Sequence, residues 1–95
     1  MATAPRPALF STGRVLATPA ALIVLNAASI TPDSLITRHV TGDWGELSIE
    51  DVDANQDALQ HGWRLLSSFN VGERKVWVIT EADRSITTLL LPSEY

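Results

Sequence analysis

The chain has 95 residues, no cysteine, and a net charge of −4 from 11 acidic and 7 basic side chains. A chain of this length forms one domain and buries roughly 60–65% of its unfolded surface, which is enough for one modest core. The lack of cysteine excludes a disulfide framework, a thiolate zinc site and thiol redox chemistry, and fits a cytoplasmic protein. The acidic balance argues against a general nucleic-acid binder.

The first part of the chain is predicted to be an arm followed by a buried helix. Residues 1–9 are rich in alanine and proline and predict a flexible N-terminal arm, with a single domain over residues 10–95. Residues 13–17 either add a short strand or lead into the first helix. The apolar run over residues 19–28 is shorter than the about 20 residues that a membrane span needs. Because Asn26 also interrupts it, a buried helix is favoured over a signal or membrane segment.

Two Thr-Pro pairs predict the starts of two helices. Thr18 and Thr31 are each placed to cap a helix, and the proline that follows takes the first helical position, where its missing N–H does no harm. The first helix is then expected to end near residue 28. The second is expected over about residues 32–40, with Gly42 as its stop signal.

A third helix follows from signals at both of its ends. Ser48 and Asp51 form the S-x-x-D pattern of a capping box, which predicts a helix from about residue 49. Gly62 is placed for the left-handed residue that ends a helix, so the helix is expected over about residues 49–61.

After Gly62 the hydrophobic pattern becomes that of strands. Strands are predicted over residues 63–69, 75–80 and 86–91, with polar turns between them. Because these segments are adjacent in sequence and joined by short turns, an antiparallel meander is the economical topology. Three strands alone cannot close a core, so the helices should cover one face. The predicted fold class is α+β, with three short helices packed on a three-stranded antiparallel β-meander.

Residues 38–45 (RHVTGDWG) place a cation, an imidazole, a carboxylate and a tryptophan at a chain reversal. Such side chains are costly to bury unless paired, which indicates a functional surface. His39 and Asp43 are a candidate base and orienting carboxylate, with Ser67, Ser68 or Thr80 as the nucleophile. A structural Asp–His hydrogen bond is the commoner outcome for such a pair, and no nucleophile elbow or phosphate loop is present.

Two further residues of this loop have alternative roles. Trp44 either closes the loop over the sheet or is an exposed binding anchor, and burial is favoured because losing a buried tryptophan costs a domain about 3–5 kcal/mol. Arg38 is expected to pair with a carboxylate within the fold, such as Glu81 or Asp83. Residues 81–85 (EADRS), which include Arg84, form a polar turn in which Asp83 is expected to bond the following backbone, and they are the second candidate surface.

The third helix is acidic. Six carboxylates and no Lys or Arg lie between His39 and Trp63. Among them Glu50, Asp53 and Asp57 are expected to be exposed, and such a surface would compete with nucleic acid for a basic groove. The alternative is that these carboxylates only keep the protein soluble.

The same helix also has weak metal-site patterns. Asp53, Asp57 and His61 recur every four residues, but i,i+4 pairing is favoured over a metal site. A calcium-loop pattern over residues 51–62 lacks glycine at its sixth position and glutamate at its twelfth. No metal, cofactor or catalytic residue is therefore predicted.

Several short motifs are spread between residues 38 and 95. They are RHxxGDWG at 38–45, ED at 50–51, Asn55, AL at 58–59, WVITEADRS at 77–85, TT at 87–88 and LPxEY at 91–95. With these motifs the chain resembles, from about residue 13 to residue 95, the small uncharacterised proteins of bacterial plasmids, integrative elements and phages, some of which carry restriction–modification labels. No catalytic residues are established for that family. The resemblance implies a habitat on mobile DNA, where small accessory proteins often bind host defence machinery.

We therefore expect a non-enzymatic accessory protein of a mobile element that binds and inhibits a host defence complex, of the anti-CRISPR or anti-restriction type. The expected partner is a host defence protein or ribonucleoprotein, without direct contact to nucleic acid or membrane. Two alternatives stay open: a small hydrolase-like enzyme that uses His39 and Asp43, and an accessory subunit that regulates the mobile element. The predicted partner-binding residues are Arg38, His39, Asp43, Trp44, Glu50, Asp53, Asp57, Glu81, Asp83 and Arg84.

Overall fold

A computed structural model describes residues 6–95 of the chain. Residues 1–5 of the predicted N-terminal arm lie outside this range, while Leu9, near the end of that arm, donates its backbone N–H to Val40 O at 2.7 Å. Within the described residues the elements in chain order are β1 (Arg14–Ala17), α1 (Pro19–Ala27), α2 (Pro32–Val40), α3 (Ile49–His61), β2 (Leu65–Val71), β3 (Arg74–Thr80), β4 (Ile86–Leu90) and a 3₁₀ turn (Pro92–Glu94).

The three predicted helices are confirmed, and their caps are the reason for their positions. The side chains of Thr18, Thr31 and Ser48 each accept a hydrogen bond from the backbone N–H three residues later, at 3.1, 3.3 and 3.2 Å. Pro19 and Pro32 occupy the first turns of α1 and α2. These bonds satisfy N–H groups that a helix start otherwise leaves without a partner.

The sheet differs from the predicted meander. Its strand order is β1-β4-β3-β2; β2, β3 and β4 pair antiparallel as predicted, but β1 pairs with β4 in parallel. The prediction of a three-stranded antiparallel meander is corrected to a four-stranded mixed sheet. Of the two possibilities for residues 13–17, the short strand is confirmed as β1. Its parallel pairing was not predicted, because the partner strand lies about 70 residues later and adjacency in sequence does not indicate it.

The first hairpin is also tighter than predicted. β2 begins two residues later than expected and continues to Val71, which pairs directly with Arg74. The turn therefore contains only two residues, the first of which is Gly72 with φ +60°. A left-handed first residue gives a two-residue turn the twist that joins antiparallel strands, which explains why the ladder runs to its very end.

The main core lies between α1, α2 and one face of the sheet. Inward-facing residues of α1 and α2 pack against alternate strand residues, since side chains on a strand alternate between its two faces. The described chain has no single helix long and apolar enough to cross a membrane, and α1 and α2 reach that length only as a pair bent by 101°. The buried residues of this core are Ala21, Leu25, Leu35, Phe69, Val71, Val76, Val78, Leu89 and Leu91.

The outer edge of β2 is covered by two other parts of the chain. Asn55 of α3 accepts a hydrogen bond from Leu66 N at 3.1 Å and donates one to Leu66 O at 2.7 Å, as a neighbouring strand would do. Ser68 donates its N–H to Trp44 O at 3.0 Å, and its carbonyl accepts from Glu46 N at 2.6 Å. These contacts fix both α3 and the loop of residues 42–47 beside the sheet.

Candidate functional site

His39 lies in the last turn of α2 and points at the inner face of the sheet, where its side chain is fully buried. Its Nδ1 lies 2.5 Å from Ser67 Oγ and its Nε2 lies 2.9 Å from Thr80 Oγ1. The rings of Phe10 and Trp44 pack around it with centroid distances of 5.1 and 5.7 Å. Both ring nitrogens thus have partners, which is what a buried imidazole requires.

The hydrogen bonds around this ring have a single consistent direction. Thr87 Oγ1 donates to the carbonyl of Thr12 at 2.8 Å, and Thr80 Oγ1 lies 2.7 Å from Thr87 Oγ1. A hydroxyl has one hydrogen, so Thr80 must donate to Thr87 and can only accept from His39. The hydrogen of the neutral imidazole therefore resides on Nε2, and Nδ1 accepts from Ser67. We call the following five residues the His39 network: His39, Ser67, Thr80, Thr87 and Thr12.

Burial keeps His39 neutral. Burial, together with the nearby positive charge of Arg84, lowers the pKa of the imidazole from 6.5 to about 4. Asp43, the predicted orienting carboxylate, bonds other groups, and the ring has no exposed surface. The predicted His39–Asp43 pair is thus replaced by a buried structural network, with two of the candidate nucleophiles, Ser67 and Thr80, as its members.

Asp43 forms an ion pair with Arg38. The Arg38 Nε lies 2.7 Å from Asp43 Oδ2, and the Asp43 carboxylate also accepts the backbone N–H of Gly45 at 3.2 Å. The hydrogen bond from Arg38 and that from Gly45 hold the pKa of Asp43 below its usual value. Arg38 does pair within the fold, but with Asp43 rather than with Glu81 or Asp83. Both side chains stay more than 40% exposed, so a partner can reach them.

Trp44 belongs to the second cluster of the core. It is 5% exposed and packs with Ala58 and Leu65, and its Nε1 has no hydrogen-bond partner among the described residues. Burial is therefore the role that the structure shows for this residue. Of the predicted partner-binding residues, Trp44 and the fully buried His39 are therefore placed in the interior of the fold rather than on an exposed surface.

The turn of residues 81–85 is held by its own charged side chains. Asp83 accepts hydrogen bonds from the backbone N–H and the hydroxyl of Ser85 at 3.0 and 2.6 Å, which confirms the predicted turn contact and lowers the pKa of Asp83. Arg84 has φ +61°, and its guanidinium donates to Trp63 O at 2.6 Å and Ala58 O at 3.1 Å. Arg84 thus joins the turn to the end of α3 and is occupied within the fold.

Of the remaining predicted residues, Glu81 is exposed at the start of the turn after β3, and the other three form an exposed acidic face on α3. Glu50, Asp53 and Asp57 are all exposed, and their spacing of three and four residues places them along one stripe of the helix. Among residues 6–95 Arg38 and Asp43 form the only ion pair, so no described cation pairs with this stripe. We call these three residues the acidic face; Glu46 and Asp51 are further exposed carboxylates nearby.

No metal site is apparent in the described part of the chain. No group of three His, Cys, Asp or Glu side chains is close enough to hold an ion there. His61, the suggested third ligand, stacks on Trp63 with ring centroids 4.8 Å apart. An open groove of about 460 Å³ lies between α1 and α2, lined by Leu22, Ile23, Leu25, Asn26, Ile30, Thr31 and Pro32, and none of these side chains titrates.

Comparisons with protein-family models, with curated proteins and with solved structures found no match for this chain. The His39 network was not anticipated as a unit, although the sequence holds a signal for it. Ser67, Thr80 and Thr87 lie on the core-facing side of three strands, where their buried neighbours on the same face are apolar. Polar residues at such positions need partners, and a histidine on a helix that packs on that face can supply them.

Proposed function

We propose that this chain is a non-enzymatic accessory protein of a mobile genetic element that acts in the cytoplasm and binds and inhibits a host defence complex, of the anti-CRISPR or anti-restriction type. The observation that carries the proposal is the acidic face of α3. Its three carboxylates are exposed and form no ion pair among the described residues, whereas Arg38 and Asp43 pair with each other and Asp83 and Arg84 bond groups of the fold.

The engagement of those other candidates supports a binding role over a catalytic one. His39 is neutral, buried and bonded at both nitrogens, and Arg84 is occupied by backbone carbonyls. A general base needs to reach the proton of a substrate, and a side chain with no exposed surface does not. The hydrolase alternative would therefore require the His39 network to open.

The spacing of the acidic face suits a groove built for nucleic acid. Glu50 and Asp57 are separated by about 10 Å along the helix at 1.5 Å per residue, so the stripe carries one carboxylate per about 5 Å. A nucleic-acid strand carries one phosphate per about 3.4 Å of its axis. The face therefore presents a comparable though lower charge density, which favours fast, salt-sensitive association with a basic groove.

A plaque assay tests the proposal. Hosts that each carry one restriction or CRISPR system are challenged with a targeted phage, with and without this protein. The informative variant is D53K/D57K, because both residues lie beyond the first turn of α3, where added lysines do not oppose the helix dipole. The control is D33K/E73K, which makes the same charge change at exposed positions away from the acidic face. Because Asp33 lies in the first turn of α2, the control carries a helix-dipole cost that D53K/D57K avoids, so retained activity in the control is a stringent comparison.

We expect the protein to raise the plating efficiency at least tenfold on a host with a susceptible system. D53K/D57K should lose this effect, and D33K/E73K should keep it. Circular dichroism confirms that both variants fold. Protection that persists in D53K/D57K would contradict the role of the acidic face, and a protein that protects phage against none of the systems would contradict the anti-defence function itself.

A further inference from the structure

Other parts of the described chain cover one edge of the sheet and leave the other edge open. The β2 edge is covered by Asn55 and by the loop of residues 42–47, as described above. The β1 edge has no such cover: in residues 6–95 no strand or loop pairs with its outer side. Edge strands are usually protected by lysine, proline or a bulge, because unpaired backbone groups attract another strand.

The outward-facing groups of β1 can be assigned from its pairing with β4. Arg14 N donates to Ser85 O at 2.9 Å and Thr18 N donates to Leu89 O at 3.0 Å. In a parallel pair, alternate residues point their N–H and C=O to the same neighbour. Val15 and Ala17 therefore direct both groups away from the sheet. The side chains of Val15 and Leu16 are 45% and 42% exposed, so the free edge is apolar as well.

We propose that β1 is the self-association edge of this protein: the β1 strands of two copies pair antiparallel about a two-fold axis at Leu16. This joins two four-stranded sheets into one of eight strands. The register follows from the ends of the strand. Gly13 has φ +60° and is not extended, and Pro19 begins α1. Centring on Leu16 is thus the register in which both outward-facing residues, Val15 and Ala17, find partners.

The charges at the ends of β1 complement each other in this register. Arg14 of one copy lies opposite Thr18 of the other, and Thr18 Oγ1 donates to Glu94 Oε1 at 2.8 Å. The two-fold axis therefore brings an arginine next to a glutamate at both ends of the interface. Arg14, Leu16 and Thr18 alternate with Val15 and Ala17 and so share one face, on which the two exposed Leu16 side chains meet. This complementarity selects a second copy as the occupant of the edge.

The arrangement leaves the acidic face free. α3 lies beside β2 at the opposite end of the strand order, so the dimer presents its two acidic faces at the two far edges of the joined sheet. The proposed self-association thus stands independently of the proposed anti-defence function, and each can fail without the other.

Sedimentation velocity of the full chain between about 1 and 100 µM tests the proposal. We expect a species of twice the 10.3 kDa chain mass. V15P removes only an N–H that points away from β4 and should raise the dimer Kd at least tenfold with little change in circular dichroism. L16E places two carboxylates at the axis and should act similarly. I49E, the same kind of change at a 77% exposed residue of α3, is the control and should leave Kd unchanged.

The end charges give an independent readout. R14Q should raise the dimer Kd severalfold at low salt and make it less sensitive to added salt, since the Arg14–Glu94 pair is lost. A wild-type protein that stays monomeric at the highest concentration overturns the proposal. A dimer that V15P and L16E both leave intact also overturns it, because the contact would then lie elsewhere. If V15P does not fold, the comparison of L16E with I49E decides.

Discussion

Acidification should destabilise this protein through His39. The imidazole has a pKa of about 4 in the folded chain against 6.5 for the ordinary side chain, because burial and the nearby Arg84 disfavour its charged form. The unfolded chain therefore binds a proton that the folded chain does not between these two pH values. The stability that the neutral imidazole contributes is complete above pH 6.5 and is lost as the pH falls toward 4. The free energy of unfolding should fall by about 1.4 kcal/mol per pH unit, and by about 3 kcal/mol in total.

Urea unfolding followed by tryptophan fluorescence at several pH values between 7 and 4 measures this loss. H39Q should be less stable than the wild type at pH 7 by about 1–3 kcal/mol, because one amide cannot reach both Ser67 and Thr80. Since glutamine cannot be protonated, the stability of this variant should depend much less on pH over this range. H61Q, at the exposed histidine, is the control and should keep the wild-type slope. A wild-type stability that is flat from pH 6.5 to 4.5, or an equal slope in H39Q, would refute this account of the network.

Two further perturbations test how the loops are held, each by urea unfolding. R84A should lower the free energy of unfolding by about 2 kcal/mol, because the carbonyls at the end of α3 lose their donor. R84G should be less destabilising than R84A by about 1 kcal/mol, because glycine accepts the φ of +61°. Equal stabilities of the two variants would contradict backbone strain at this position. G45A should cost about 3 kcal/mol or more, because its Cβ would lie 2.2 Å from Ser68 O. G72A should cost only about 1 kcal/mol, because its Cβ would meet nothing within 4 Å and only the positive φ is unfavourable. Similar costs for the two variants would contradict the close approach at Gly45.

The helices were predictable because their signals are local. Thr18, Thr31 and Ser48 cap the helix that immediately follows each of them, and Gly62 ends α3 in the left-handed conformation that its position predicts. The meander of β2, β3 and β4 was predictable for the same reason, since short turns connect neighbouring strands. The pairing of β1 was not, because its parallel partner is distant in sequence. The four residues of β1 are also too few to show a period, which left the strand as one of two possibilities for residues 13–17.

The candidate site was less predictable because proximity in sequence does not specify which groups pair. His39 and Asp43 are four residues apart, yet one points into the core and the other bonds Arg38 at the surface. Arg84 was expected on a surface, but it reaches carbonyls more than 20 residues away. Only the tertiary structure brings such groups together. The exposure of α3, by contrast, followed from its local pattern of carboxylates.

Competition for nucleic acid tests the central claim most directly. A defence complex to which this protein binds is purified, and its Kd for its own guide or target nucleic acid is measured at increasing concentrations of this protein and at two salt concentrations. If the acidic face of α3 occupies the basic groove, the apparent Kd for nucleic acid should rise in proportion to the added protein, less so at higher salt, and D53K/D57K should not raise it. A ternary complex with an unchanged Kd, or equal competition by D53K/D57K, would contradict the account.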